Sequence, residues 1–534
     1  MIPSISQPVK RQTLIFWLYP VCAGICIFLS FQRYRFWPAI FLLPFFLNGM
    51  RSLPLKKKLF SYWIMAVVTN LGGFGWIRSV GVDFGGLSLP LAWGLVLLFS
   101  LLNNLNFVAW AYLERVFGER LTPVATAALF CVVEQLNPQV FPWYLGTALD
   151  SVLVFYQTAD IWGVFGLSFV LVVLTHLPWW IWENRHGLWP EKRIVFLGHA
   201  AFVLFLLGYG SWALQHYGNS ARPGQKSVGI SLVQSNTTME KFYGASRSPA
   251  DRLQEFLKLV AFSKDAVAKH PGKVDLLVWP EGAVHFPILN SHRIFDPIAD
   301  LAREAHISVA AGSVELEKDT GGGRKIYNTQ FVLDSKGEVA GKYRKIQLLA
   351  FGEYIPLVDL IPALQALLPQ TISQFTRGTE KPVFRLRDDV HWLPLICYED
   401  IIFGFIAGFD HQQADFIVNT TNDGWFGRTD ASYLHMQMAR PRAVEFRKPM
   451  VRALNTGSSQ IIDSAGRIIS KETGLYTRDA LNITLNLPPK PPRTLYSVVG
   501  NIPAYLLILV VVGLWLKKEI LARHSGRAGT NQPH

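Results

Sequence analysis

Residues 392–405 read WLPLICYEDIIFGF: an apolar run of strand character that ends on Cys397 and breaks at once into Tyr398, Glu399 and Asp400. A short apolar run closed by a polar turn is the signature of a strand buried within a sheet. Its surroundings repeat the pattern. VGISLVQSN (228–236), VDLLVWPEG (274–282), ISVAAGSVE (307–315) and ADFIVNTTNDGWFG (414–427) are further apolar strands ending in polar residues, and SSQIIDSAGRIIS (458–470) continues the series. TQFVLDSKGEVAGKYRK (329–345) reads as a hairpin turned at Ser335, Lys336 and Gly337. ADRLQEFLKLVAFSKDAVAKH (250–270) has apolar residues at three- and four-residue spacings, an amphipathic helix. Strands with interspersed helices predict a packed α/β domain whose reacting groups gather beyond the strand ends.

The rest of the chain has a different composition. Of 534 residues, 50% are hydrophobic and 17% charged, against roughly 25% charged in an ordinary soluble protein. The deficit lies in residues 12–215, which hold seven apolar stretches at about 13–31, 35–50, 59–77, 88–112, 122–145, 160–183 and 194–214, and in an eighth at 502–516. A helix needs about 20 apolar residues to cross a bilayer. The expected architecture is therefore a multi-span α-helical membrane bundle, seven spans plus one, carrying an α/β domain: residues 1–215 as the bundle, 216–495 as the soluble domain, 496–534 as a last span and tail. The first stretch is long, aromatic and followed by more spans, unlike a cleavable signal peptide.

Basic residues in short loops set the orientation. With the N-terminus in the cytoplasm, Arg51, Lys56, Lys57, Lys58, Arg115, Arg120, Arg185, Lys192, Arg193, Lys517, Lys518 and Arg523 all fall inside. The domain at 216–495 then emerges outside, in a bacterium the periplasm. The net charge of +13 is concentrated beside apolar spans, and no nucleic-acid motif accompanies it, so no nucleic acid is expected. Glu134, in FCVVEQLNPQVFPW (130–143), is either a functional carboxyl facing the bundle interior or a charge at a helix end, with the FPWYLG aromatics as a re-entrant segment.

Cys22, Cys26 and Cys131 lie in apolar spans, leaving Cys397 alone in the soluble part. No internal disulfide is available there, and no Cys/His spacing suggests a metal. Glu281 and Lys345 also end strand segments. A thiol becomes an effective nucleophile when a base removes its proton or a cation stabilises the thiolate, and an ammonium can also hold the oxyanion of a tetrahedral intermediate. Glu281, Lys345 and Cys397 together would suffice for acyl transfer. A Cys397–His435 dyad would leave Glu281 and Lys345 idle, so His435, ahead of an amphipathic helix, is read as structural.

WPEG (279–282), GKYRKIQLLAFGEYIP (341–356) and LICYED (395–400) resemble, in order, the three motifs of the nitrilase (carbon–nitrogen hydrolase) superfamily. With the flanking spans, and with FGEYIPL (351–357), NDGWFG (422–427), HMQMARPRAVE (435–445) and RALNTGSS (452–459), the chain resembles the membrane-bound apolipoprotein N-acyltransferase family. The resemblance implies an αββα nitrilase-like sandwich with a Glu281–Lys345–Cys397 triad. It also implies support from Glu353 and Glu399, a pocket formed by Tyr354, Tyr398 and Trp425, and Phe242 on a loop. LLA stands before Phe351 where relatives often have proline. The implied reaction takes an acyl chain from a phospholipid donor, through a cysteine thioester, to the N-terminal diacylglyceryl-cysteine of an apolipoprotein, the last step of bacterial lipoprotein maturation. It needs no cofactor or metal and is expected of a monomer in the bacterial inner membrane, with the catalytic domain in the periplasm. The competing readings are a membrane-tethered amidase or nitrilase hydrolysing a periplasmic C–N bond, and a transporter or sensor with an inactive nitrilase-like domain.

Overall fold

The computed structural model describes residues 6–31, 36–83, 85–118, 121–185, 192–218, 224–237, 248–270, 273–318, 323–350, 352–354, 375–490 and 492–528. The chain forms two compact units. One comprises 1–75, 94–212 and 498–534; the other comprises 76–93 and 213–497.

The first unit is helical. Among the described residues, four helical stretches are long and apolar enough to cross a membrane: Gln12–Phe31, Leu89–Phe117, Ala159–Asn184 and Arg193–His216, the second of which runs on into the other unit. Of the other apolar stretches, 59–77 and 502–516 lie mostly in the helices Leu55–Gly73 and Ile502–Ala528, and two fold into less regular pieces. Residues 37–50 are a 3-10 turn followed by an eight-residue helix, and 122–145 yields only the helix Pro123–Leu136. The helix Leu55–Gly73 carries three lysines in its first turn. Glycines let helices approach closely, as small residues do in membrane proteins: a Cβ on Gly24 would lie 2.7 Å from the Met65 carbonyl oxygen, and one on Gly72 would lie 2.5 Å from the Phe28 ring. Lys58 and Glu114 form a buried ion pair at 3.2 Å, joined by the Tyr62 hydroxyl, which donates to Glu114 at 3.1 Å. Glu134 is buried, and its Oε1 accepts from the Leu145 N–H at 2.7 Å, so it caps backbone beyond its own helix where the buried 3-10 turn Leu145–Ser151 begins.

The second unit holds two sheets. Its strands are β1 (Lys226–Gln234), β2 (Leu276–Val278), β3 (Ser308–Lys318), β4 (Arg324–Leu333), β5 (Val339–Arg344), β6 (Phe384–Arg387), β7 (Val390–Ile396), β8 (Phe416–Thr421), β9 (Met450–Leu454), β10 (Gln460–Ile462) and β11 (Asp479–Leu487). Six strands in the order β11-β1-β2-β3-β4-β5 make one sheet, and five in the order β10-β9-β8-β7-β6 make the other. The parallel pairs β1/β2, β2/β3, β7/β8 and β8/β9 lie at the sheet centres, with antiparallel strands outside them.

Period-two alternation assigns the faces. Val228, Ile230 and Leu232 of β1 pack with Trp392, Leu395 and Ile417 of the second sheet in one core. Val233 faces the other way, with Leu277 and Val309, into a core closed by the helices Pro249–Ala268 and His292–Ala305. Ser248 opens the first of these helices with a reciprocal capping box to Asp251. The hairpin turn is held by Asp334, whose side chain accepts from the N–H groups of Lys336 and Glu338, both at 2.9 Å, while Gly337 takes a φ of +75°. Residues 76–93, from the apolar half of the sequence, join this unit through the helix Ile77–Asp83. Trp76 stacks edge-on against Phe426 at 4.7 Å, and a Cβ on Gly427 would lie 3.2 Å from Ser79.

Candidate active site

Three strand ends of the second unit meet at one buried cluster. Glu281 lies three residues past β2, and Gly312 of β3 makes room for its turn. A Cβ on Gly312 would sit 2.4 Å from the Pro280 carbonyl oxygen and 2.7 Å from Glu281 Cα. Lys345 directly follows β5, and its backbone is pinned on both sides: its N–H donates to the Asn328 carbonyl, and its own carbonyl accepts from the Gly378 N–H, both at 2.8 Å. Cys397 directly follows β7 and opens the 3-10 turn Cys397–Asp400.

Lys345 is 1% exposed, and its Nζ donates to Glu353 at 2.8 Å and to Glu281 Oε1 at 3.4 Å. Asn328 binds the same two carboxylates, with Nδ2 2.6 Å from Glu281 and 2.9 Å from Glu353. The other Glu281 oxygen accepts from the Asn422 N–H at 2.8 Å. Glu281 is thus oriented by an amide, a backbone N–H and an ammonium, and Glu353 also accepts from the Leu349 N–H at 2.9 Å.

Cys397 has a φ of +52°, a left-handed conformation that is costly for a residue with a Cβ and persists where its surroundings overdetermine it. Glu399 supplies much of that determination. It is fully buried; its Oε1 accepts from the N–H groups of Ile346 (2.7 Å) and Gln347 (3.0 Å), and its Oε2 accepts from the Tyr343 hydroxyl and the Ile396 N–H (both 2.8 Å). One carboxylate thereby ties the residues after Lys345 to the residue before Cys397. Burial pushes it up to about 7, opposed by the N–H groups of Gln347 and Ile396 and by Lys345.

The electrostatics follow from the charge count. Burial alone would push the Lys345 ammonium down, but the Glu281 and Glu353 carboxylates hold it well above the usual lysine range. Burial and Glu281 push the Cys397 thiol well up, with Lys345 pulling the other way and Asp423 and Glu353 adding to the rise. Two carboxylates against one ammonium leave an excess negative charge, so the resting sulfur is a thiol.

The remaining expected residues are less central. Tyr354 lies under the Arg377 guanidinium at 4.8 Å. Tyr398 is half-buried, its phenol pushed up to about 12 by burial and by Tyr354, and lowered by Lys345. Trp425 sits half-buried on the 3-10 turn Asp423–Phe426. Phe242 lies outside the described residues, as do residues 355–374. Sequence reasoning passed over Asn328, Tyr343 and the Asn422 N–H. Asn328 left little signal, because its strand also carries Arg324, Lys325, Thr329 and Gln330. His435 lies inside the buried helix Ala431–Ala439, not ahead of it.

Residues 230–487 match the carbon–nitrogen hydrolase family, and residues 23–177 match the apolipoprotein N-acyltransferase N-terminal domain. An apolipoprotein N-acyltransferase of Bdellovibrio bacteriovorus is 29% identical, with 96% of this chain and 95% of its own covered. One of Geobacter metallireducens is 33% identical, with 84% of this chain and 82% of its own covered. Among solved structures, Saccharomyces cerevisiae Nit3, a nitrilase-superfamily member, is 19% identical, covering 53% of this chain and 97% of its own at a TM-score of 0.36. With a third of the aligned residues identical over most of this chain and of the Geobacter protein, the chain belongs to the apolipoprotein N-acyltransferase family.

Proposed function

We propose that this protein N-acylates lipoproteins by a two-step transfer through Cys397. In the first step the Cys397 proton passes to Glu281 and the sulfur attacks an ester carbonyl of a phospholipid. The carbonyl electrons move onto oxygen, where the Lys345 ammonium and the Tyr398 N–H receive them. Collapse breaks the ester C–O bond, Glu281 returns the proton to the departing oxygen, and a lysophospholipid leaves a thioester on Cys397. In the second step the α-amine of a diacylglyceryl-cysteine attacks the thioester, yields a proton to Glu281 and expels the sulfur, which recovers that proton as the amide forms. Glu353 holds Lys345 in place, and Glu399 holds the Cys397 turn. This is ping-pong nucleophilic catalysis.

The observation that carries the reading is the buried Glu281–Lys345 ion pair, whose charges act on the buried Cys397 thiol. Seven spans followed by an eighth, with the catalytic unit in the periplasm of a bacterial inner-membrane protein, agree with the distribution of Lys and Arg among the loops. The test is mass spectrometry of the purified protein after incubation with phospholipid. An acyl adduct on Cys397, discharged by a diacylated lipopeptide and stable to water, is the expected result. Undiminished turnover by a Cys397→Ser variant refutes it, and discharge by water alone favours a hydrolase.

A further inference from the structure

His435 is used by no step above, yet it sits between two carboxylates. Its Nε2 lies 2.9 Å from Asp400 and its Nδ1 lies 2.9 Å from Asp423. All three side chains are buried. A carboxylate on each ring nitrogen calls for a hydrogen on each, which makes the ring an imidazolium. The two partners belong to the two turns that flank the site. Asp400 closes the Cys397–Asp400 turn, and Asp423 opens the turn after Asn422, whose N–H binds Glu281.

We propose that His435 is a positioning residue, a charged bridge that fixes the Cys397 turn against the Asn422–Asp423 segment and so sets the thiol relative to Glu281. This rests on the reading that Cys397 and Glu281 act together. The groups facing the bridge support it. Arg452 Nε donates to Asp400 at 2.9 Å, and Asn419 donates to both Asp400 and the Cys397 carbonyl. Two carboxylates, one guanidinium and one imidazolium then cancel. Asp423 depends on the ring most, because its second oxygen is buried with no hydrogen-bond partner among the described residues. A neutral ring would leave that charge uncompensated, beside a Cys397 thiol and a Tyr476 phenol that it already pushes up. Phe426 packs edge-on against the ring at 6.2 Å. Burial alone would lower the imidazole, but Asp400 and Asp423 raise it to about 9.

The experiment measures the single-turnover rate of Cys397 acylation by phospholipid vesicles, as a function of donor concentration and pH, in the full chain. The wild-type rate should fall as pH rises through about 9. His435→Gln should lose roughly a hundredfold in limiting rate, the scale of a small misplacement of reacting groups, at nearly unchanged half-saturation and without the alkaline fall. Asp423→Asn, which keeps the ring but removes one charge partner, should move the alkaline midpoint down by about one pH unit, and it serves alone if His435→Gln does not fold. An unshifted midpoint in Asp423→Asn, or a His435→Gln rate per folded molecule equal to wild type, overturns the proposal. Either result with Cys397→Ala inert removes only the role of His435. Acyl transfer by Cys397→Ala instead removes the acyl-enzyme reading.

Discussion

Replacing Glu399 by Gln tests how far the Cys397 turn depends on one carboxylate. The side chain accepts four hydrogen bonds, two on each oxygen. An amide keeps one accepting oxygen. Its best placement leaves that oxygen on the Ile346 and Gln347 N–H groups and turns the NH2 toward Tyr343 and Ile396. The Tyr343 hydroxyl can rotate to accept; the Ile396 N–H cannot. One buried backbone donor, next to Cys397, is then stranded at a cost of about 1–3 kcal/mol. If that cost is released as displacement of the turn, then at about 1.4 kcal/mol per decade the acylation rate falls about 5- to 150-fold. Protonating Glu399 also puts a hydrogen on one oxygen, so wild-type acylation should rise as pH rises through about 7, and the variant should lack that rise. The assay is single-turnover adduct formation on Cys397, followed by mass spectrometry between pH 5 and pH 9. A variant that acylates within about twofold of wild type and keeps the rise near pH 7 refutes the reasoning.

Other outcomes follow from the same geometry. Gly312→Ala forces a Cβ against the Pro280 carbonyl and Glu281 Cα; overpacking of about 1–3 kcal/mol should lower the limiting rate far more than donor half-saturation, and an unchanged rate would show that the Glu281 turn is not confined. Asn328→Leu removes a donor shared by Glu281 and Glu353; at about 1.5–3 kcal/mol per charge-assisted bond, acylation should drop at least tenfold, measured as above. His435 should also mark stability. Its folded-state value, about 9, lies above the ordinary 6.5, so its contribution is complete below pH 6.5 and is lost as pH rises through 9. Thermal unfolding should show that loss in wild type and not in His435→Gln.

Much of the second unit could be read from residues alone, because strand alternation and helical periodicity are local properties. VDLLVWPEG, VAGKYRK and LPLIC announce strands, and position in the chain puts Glu281, Lys345 and Cys397 at their ends. The apolar half was legible as helix-forming. Its division into pieces was legible only in part: Asn137 and Pro138 mark the end of Pro123–Leu136, but the N–H of Leu145 that Glu134 caps beyond it could not be read.

Side-chain partners lay beyond such reading. Period-two alternation assigns a residue to a face, but not the group it meets there. Glu399 finds its donors 52 and 53 residues away, Asn328 bridges carboxylates 47 and 25 residues away, and His435 reaches Asp400 across 35. These pairings exist only once distant strands have packed in a particular register and buried polar groups must satisfy one another. The sequence thus determined which groups end which strands. Three-dimensional packing chose what holds those groups, because a buried charge is tolerated only beside compensation that distant segments supply.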